Sequence, residues 1–350
     1  MAATIQDVAR VSGVSASTVS RAFNDTAPVN AGTRARIYEA AKKLNYVPNA
    51  SARSLSTRVS RVIGVLLPLA HGEFFSVLIR GIDEAVLYSK REMLIAGSHN
   101  DLDSTHLAFR RMNGWVDGFL VVTHNLHVDL LVDAVPHGTP TVFLHTASPI
   151  AGYPCVRTDN YGSAREAVQH LIDEGHRRIG MVKGPERNAE AIERHRGFVE
   201  TLRDNGLSVD PDFVYTGDFT REAGLEAGRK VADQKPRPTA IFAANDDSAI
   251  GLMFALNDAG IGIPNSLALI GFDDIPSARY QTPPLSTVHI PISDMGRRAV
   301  ELLVSAIDSP DAPADEVVTI RGQLRPRAST IGKRYRPEID PPDLPLTGTR

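Results

Sequence analysis

TIQDVARVSGVSASTVSRAFN, residues 4–24, decides the reading of the whole chain. Thr4 followed by Asp7 is the pattern in which a hydroxyl and an acid three residues on cap each other's backbone, so a helix opens here. Ile5, Val8 and Ala9 then recur on one face at helical spacing. Ser12-Gly13-Val14 interrupts that helix, with Gly13 supplying the freedom a tight turn needs, and Ser15 can cap a second helix running through Asn24. Val14 and Val19 share the interior with Val8, which leaves Ala16, Ser17, Thr18 and Arg21 near the exposed N-terminal part of the second helix. That is the presentation of a helix-turn-helix, whose second helix enters the DNA major groove. A third amphipathic segment, from about Thr33 to Asn45, turns Ile37, Ala40, Ala41 and Leu44 inward and completes a small all-α head.

Charge agrees with this once the chain is divided. The 350 residues carry a net charge of -3, but residues 1–60 hold eight Lys and Arg against three Asp and Glu, a surplus of +5, which leaves -8 for the rest. A small basic head on an acidic body suits a polyanion-binding module, because Lys and Arg neutralising phosphates supply most sequence-independent DNA affinity. At 350 residues, 42% hydrophobic and 23% charged, the chain predicts several ordinary globular domains. Its one cysteine, Cys155, allows neither an intramolecular disulfide nor a thiolate metal cage. With no basic-then-apolar opening and no apolar run of roughly 18 residues, the expectation is a cytoplasmic, nucleoid-associated protein, neither exported nor embedded.

From Arg61 the pattern changes to short β-branched runs alternating with helix-period segments: Val62 to Leu67, Phe74 to Ser89, Met93 to Ala96, Asp101 to Met112, Gly118 to Val122. The rhythm restarts after Cys155, with helices from Tyr161 to Glu174 and Ala189 to Asn205 and a strand near Ile179 to Val182, and continues through Ile270. Two similar α/β lobes follow. Val288 to Ile290, a helix to about Ile307 and a strand near Val317 to Arg321 are late elements able to complete the first lobe, and a cleft between lobes is a preferred ligand site.

Residues 4–24, followed by TRARIYEAAKKLNYVPNASARSL at 33–55, closely resemble the DNA-binding segment of the LacI/GalR repressor family. The resemblance implies base contacts from Ala16, Ser17 and Arg21, and phosphate contacts from Thr4, Ser15, Thr18, Ser20, Asn24 and Thr33. The chemistry agrees: Arg21 can bond guanine O6 and N7, and the Ala16 methyl can pack on a thymine methyl. Asn49 can cap Ala50 to Ser56, a two-turn helix too short to stand alone in water. The family implies that this hinge helix folds on DNA beside its copy from a second subunit, with Leu55 wedged between minor-groove base steps.

The body resembles the family's type I periplasmic-binding-protein-like effector core. GPERNAEAIERHRGF (184–198) implies an effector-binding Arg194, AIFAANDDSAIG (240–251) aligns Asn245 and Asp246 at a strand end, and LALIGFDDIPSARYQTPPLSTV (267–288) aligns Asp273. GEFF places Phe74 and Phe75 at the rim, GDF places Phe219 opposite, and VRTDN puts Asp159 at the lobe crossover. The division that follows is a DNA-binding head at 1–47, a hinge at 48–60, an effector and dimerisation domain at 61–326 and a Pro-rich tail at 327–350. Lobe one takes about 61–157 and 290–326, and lobe two about 158–289.

Arginine, carboxylates and an amide can bond vicinal hydroxyls while aromatic faces cover a sugar ring, which points to a sugar or sugar derivative. A purine between the aromatic rings is the rival. The resulting expectation is a homodimeric repressor of carbohydrate catabolic genes on a palindromic operator, with no cofactor and no metal. Arg194 is expected to pair with an acid until ligand arrives. An enzyme would have to use Asp246-Asp247, Asp273-Asp274 or the histidines His99, His106, His124, His127, His137 and His145, and none has catalytic spacing. The first acid of each pair reads as a ligand group and the second as solvent-exposed, and the histidines read as scattered over the surface. A non-regulatory sugar-binding protein would share the body but lack the head. The tail, with Pro337, Pro341, Pro342 and Pro345 and no leucine heptads, reads as a loose extension that favours a dimer over a tetramer.

Overall fold

The computed structural model describes residues 3–24, 27–47, 59–68, 72–98, 101–123, 128–146, 149–309 and 315–336. The hinge segment with Leu55, His99, His124, His127 and the prolines from 337 on lie outside them. The chain divides into two compact units, Met1–Val62 with Gly114–Asp117, and Ile63–Asn113 with Gly118–Arg350.

In the first unit, α1 (Ile5–Ser12), α2 (Ala16–Asn24) and α3 (Ala31–Lys43) enclose Val8, Val19, Ala22, Ile37 and Ala40. Thr4 and Asp7 form the reciprocal capping box. Gly13 ends α1 in the left-handed region at φ 69°, where a side chain is disfavoured. The third helix starts two residues earlier than its apolar pattern suggests, because Asn30 caps it by accepting a hydrogen bond from Gly32 N at 2.9 Å. Asp117 accepts bonds from Ser60 N and Arg61 N, at 2.7 and 2.8 Å, at the start of the next strand.

The second unit builds two parallel sheets. Its elements run β1 (Val62–Leu67), α4 (Glu73–Tyr88), β2 (Glu92–Gly97), α5 (Leu102–Met112), β3 (Gly118–Val122), α6 (Val128–Val132), β4 (Thr141–Leu144) and β5 (Cys155–Thr158). Then come α7 (Asn160–Asp173), β6 (Ile179–Val182), α8 (Ala189–Asp204), β7 (Val214–Tyr215), α9 (Arg221–Asp233), β8 (Ala240–Ala243), α10 (Asp246–Asp258) and β9 (Ala268–Ile270). β10 (Thr287–His289), α11 (Ile292–Asp308), β11 (Val317–Ile320), β12 (Gln323–Arg325) and α12 (Ala328–Ile331) close the domain.

The first sheet has the order β11-β5-β4-β3-β1-β2 and the second β7-β6-β8-β9. β11 joins the first sheet beside β5, with Thr319 opposite Arg157, and β12 returns antiparallel to β10. The chain therefore crosses between lobes after β5, after β10 and after β11. Strands such as Gly118–Val122 and Ala240–Ala243 are buried along their whole length, as parallel strands covered on both faces must be. One apolar cluster containing Leu120, Phe198, Phe242, Phe272, Val288 and Met295 runs through both lobes.

The segment from Arg327 is not the start of a loose tail. Arg327, Ser329 and Thr330 are buried, and Ser286 donates from its N–H to Ser329 Oγ at 2.7 Å. The proline pattern that suggested looseness begins ten residues later.

Candidate functional site

Two regions carry the residues with chemistry to offer. In the head, Ser15 accepts a bond from Thr18 N at 3.2 Å and lies 2.8 Å from the hydroxyls of Ser17 and Thr18. Ser17 and Arg21 are exposed one turn apart on α2, so they share a face, while Ala16 is half-buried against the core. Thr4 donates its hydroxyl to Asp7 Oδ2 at 2.7 Å, and the bonds from Thr4 hold the Asp7 carboxyl below its ordinary value. Asn24 donates to Ser20 Oγ at 3.1 Å, and Thr33 is half-buried near the start of α3.

In the larger unit, the carboxyl ends of β4, β5, β8 and β9 converge, the place where open parallel sheets take ligands. Arg194, on α8, lies at the centre and is buried. Its Nε donates to Asn160 Oδ1 at 2.8 Å and a terminal nitrogen donates to the Ala244 carbonyl at 2.6 Å. Its other nitrogen stands 3.4 Å from Asp273 Oδ1. The guanidinium lies 3.8 Å from the centroid of Phe272 and 5.6 Å from that of Phe219, within reach of both ring faces.

Asp273 holds φ at 107°, and its Oδ1 accepts no hydrogen bond among the described residues. Burial pushes its carboxyl up to about 7, with Glu190 and Asp247 acting in the same direction against Arg194. Glu190, one helical turn before Arg194, accepts from Asn160 Nδ2 at 3.4 Å and meets His145 Nδ1 at 2.8 Å. His145 follows β4 in lobe one and Glu190 belongs to lobe two. A continuous buried polar chain thus passes from one lobe through Glu190, Asn160 and Arg194 to Asp273 in the other.

A model described as bacterial regulatory proteins, lacI family, matches residues 4–49, and one described as periplasmic binding protein-like domain matches 168–330. The HTH-type transcriptional repressor CytR of Escherichia coli (strain K12) is 33% identical over 330 residues, covering 93% of this chain and 97% of CytR. The chain belongs to the lacI family of bacterial regulatory proteins. It is a DNA-binding transcriptional regulator with an effector domain. Among solved structures, the CelR–cellobiose complex matches with a TM-score of 0.70 at 29% identity, covering 93% of this chain and 99% of CelR. A LacI-family regulator from Enterococcus faecium with bound ribose matches with a TM-score of 0.67 at 28% identity, covering 77% and 98%.

Within this lacI-family regulator the expected cleft residues divide. Arg194, Asp273, Asn245, Phe219 and Phe74 come together. Arg194 pairs with an acid, Asp273, as the sequence suggests. Asn245 caps α10 by accepting from Ser248 N at 3.1 Å and donates to the Phe219 carbonyl at 3.0 Å. The Phe219 ring lies so close to Gly184 that a Cβ there would sit 2.4 Å from it, so glycine is what lets the ring settle. Phe74 packs edge-on against His145 and Phe75, with centroids 5.0 and 5.4 Å apart. Asp159 caps α7, accepting from Gly162 N at 2.8 Å.

Asp246 does not face the cleft. It is fully buried, accepts from Thr287 Oγ1 at 2.6 Å and from Ile275 N at 2.9 Å, and burial with the Asp273 charge holds its pKa well above the ordinary value. As the first residue of α10 it turns beneath the 271–275 loop. Asp274 is not solvent-exposed either: it is buried between Arg327 and His289. Nor is His145 a surface histidine.

Glu190, Asn160 and Phe272 join the site beyond the residues the sequence singles out. Glu190 precedes Arg194 by four helical positions and Asn160 follows Asp159, so both carried a positional signal. Outside the buried chain, Glu73 of lobe one accepts from Ser277 N at 2.8 Å and pairs with Arg221 at 3.2 Å, and Arg221 also pairs with Asp247 at 2.6 Å. Both partners of Glu73 belong to lobe two, so this trio clasps the lobes at the rim.

Proposed function

We propose that this regulator is a repressor of carbohydrate catabolic genes whose operator binding is set by an uncharged polyhydroxyl effector, a sugar or sugar derivative, in the interlobe cleft. The observation that carries the reading is the buried set around Arg194. The Arg194 guanidinium faces Asp273 Oδ1 at 3.4 Å beside the aromatic faces of Phe272 and Phe219, and a second acid, Glu190, joins the same buried network through Asn160. Ligand hydroxyls can donate to the carboxylates and accept from the guanidinium, whereas a phosphate would meet two acids for one cation. The cellobiose and ribose bound by the two structural relatives support the same class.

In the head, Ala16, Ser17 and Arg21 read base edges, while Thr4, Ser15, Thr18, Ser20, Asn24 and Thr33 lie on phosphates. Leu55, outside the described residues, wedges the minor groove. The protein works as a homodimer on a palindrome, and Leu94 and Ile95 exposed on the edge strand β2, with Leu87 and Tyr88 before it, offer apolar surface for a second copy. The functional division is head 1–47, hinge 48–60 and effector domain from 61, with the 327–331 segment now counted in the effector domain. It acts in the cytoplasm by binding alone, without catalysis, metal or cofactor. Among the described residues no helix is long and apolar enough to cross a membrane.

A thermal-shift panel of free sugars, polyols, sugar phosphates and nucleobases tests the effector class, since a ligand that binds only the native state raises apparent stability. A neutral sugar is expected to raise the melting temperature. Protection by a nucleobase or a sugar phosphate alone would overturn the sugar reading.

A further inference from the structure

Two consecutive residues of the cleft loop, Asp273 and Asp274, hold φ at 107° and 58°, in the region that side chains other than glycine's avoid. Such conformations persist only where the surroundings over-determine them. Here the backbone is held at every position: Asp273 N donates to the Val288 carbonyl at 2.9 Å, Asp274 N to Thr287 Oγ1 at 3.3 Å and Ile275 N to Asp246 Oδ2 at 2.9 Å.

The two aspartates then part company. Asp273 turns its Oδ1 toward Arg194, 3.4 Å away in the cleft. Asp274 turns the other way: one oxygen lies 2.7 Å from the Arg327 guanidinium as an ion pair outside hydrogen-bond geometry, and the other meets His289 Nδ1 in a hydrogen bond of 3.1 Å. Burial pushes the Asp274 carboxyl up, but the His289 bond and the Arg327 charge outweigh it and leave it below its ordinary value.

Arg327 is in turn pinned. It donates from its side chain to the Leu285 carbonyl at 2.9 Å and from its backbone N–H to Ser286 Oγ at 2.7 Å. Ser329, two residues on, donates to the Leu269 carbonyl at 2.6 Å, on the strand that leads into the cleft loop.

We propose that Arg327 is a positioning residue of the effector site: from the segment after the last strand it grips Asp274 and so fixes the left-handed backbone that aims Asp273 into the cleft. The assignment rests on the reading that Asp273 bonds the effector. It gives the segment after β12 a role in ligand recognition, although Arg327 itself need not touch the ligand.

Amide hydrogen exchange of the full chain tests the strap without any ligand. In Arg327→Met, the amides of residues 273–275 are expected to exchange about tenfold faster or more, the scale set by releasing backbone strain, while those of β6 and β8 stay protected. In Arg327→Met/Asp274→Gly, which removes both charges and supplies a residue at ease with positive φ, protection returns. In Arg327→Met/Asp274→Ala, which removes the same charges but keeps the strain, it does not. Should Arg327→Met fail to fold, the two double variants decide between themselves. Equal recovery in both, or loss spread evenly over the domain, would overturn the proposal and leave Arg327 an ordinary core pair.

The same proteins are then heated with D-ribose and with cellobiose. A melting-temperature rise present in the wild type, lost in Arg327→Met and regained in the glycine double variant completes the case. A rise that survives in Arg327→Met despite a loosened 273–275 loop refutes the link to ligand binding. A wild type that neither these nor any other free sugar protects removes the sugar reading, whereas the exchange pattern judges the strap on its own.

Discussion

Arg21 and Arg194 are the same residue in opposite circumstances. Arg21 stands exposed on α2, above a core of Val8, Val19 and Ile37 that owes it nothing. Arg194 is buried among Asn160, the Ala244 carbonyl, Asp273 and two aromatic rings. In the head, Arg21 is laid on a finished fold, so this side chain can change without unfolding anything. In the cleft, recognition chemistry is part of the fold, so a change is felt in stability and in ligand response together. The cleft must also rearrange this buried network when ligand enters, which ties binding to the relation between the lobes.

The sharpest break of this contrast is Arg194→Met. Removing one partner of a buried pair costs about 3–5 kcal/mol in denaturant unfolding of the effector domain, whereas Arg21→Met is expected to stay within about 0.5 kcal/mol of wild-type stability. Equal losses would collapse the distinction.

Next comes pH. The Asp273 pKa is raised in the folded state to about 7, above its ordinary 3.8, so its contribution is fully favourable below the ordinary value and is lost as pH rises toward 7. Relative to wild type, Asp273→Asn should gain up to about 1.4 kcal/mol per pH unit across that interval. Parallel stability curves from pH 4 to 7 would contradict the assignment.

Smaller effects follow in the head. Arg21→Ala should lose about 1–3 kcal/mol of preference at one operator base pair, read by competition between duplexes, and unchanged preference would remove Arg21 from the base-reading set. Thr4→Ala should cost about 1 kcal/mol of head stability through the lost capping box, visible as a lower melting temperature. The least is expected of Glu73→Ala at the half-exposed rim clasp, about 0.2–1 kcal/mol. Small-angle scattering of the ligand-free protein should show a modest shift toward open lobes, and a much larger opening would make the rim, rather than the buried chain, the main fastening.

The head was almost wholly legible because its logic is local. The capping box spans Thr4 to Asp7, the turn needs one glycine, and the apolar stripe repeats every three or four residues. Only the start of α3 departs from the pattern, since the Asn30 cap lies outside the apolar repeat that marks the helix. The α/β alternation was legible for the same reason, as each strand and helix declares itself over a few residues.

The cleft was legible only where one string carries its own signal. Arg194 and Asp273 were found in this way. His145 was not, because its partner Glu190 is 45 positions away and nothing near His145 marks it as buried. Asp246 shows the reverse error. Its place after a buried strand suggests a ligand group, but its direction depends on Thr287 and Ile275, which only the folded loop brings to it. Arg327 combines the two, since a run of prolines further on made its surroundings look loose while its partner Asp274 lies in a distant loop.

The most direct test of the central claim joins the two regions in one experiment. A palindromic duplex selected by the full-length protein from random DNA is titrated by fluorescence anisotropy, with and without the sugar that gives the largest thermal shift, for the wild type and for Asp273→Asn. A coupling of about 1–3 kcal/mol, typical of linked sites, predicts a change of roughly 5- to 150-fold in operator affinity for the wild type and none for the variant. An operator affinity that ignores the sugar in the wild type, or follows it equally in Asp273→Asn, would contradict the account of the cleft as the switch for the head.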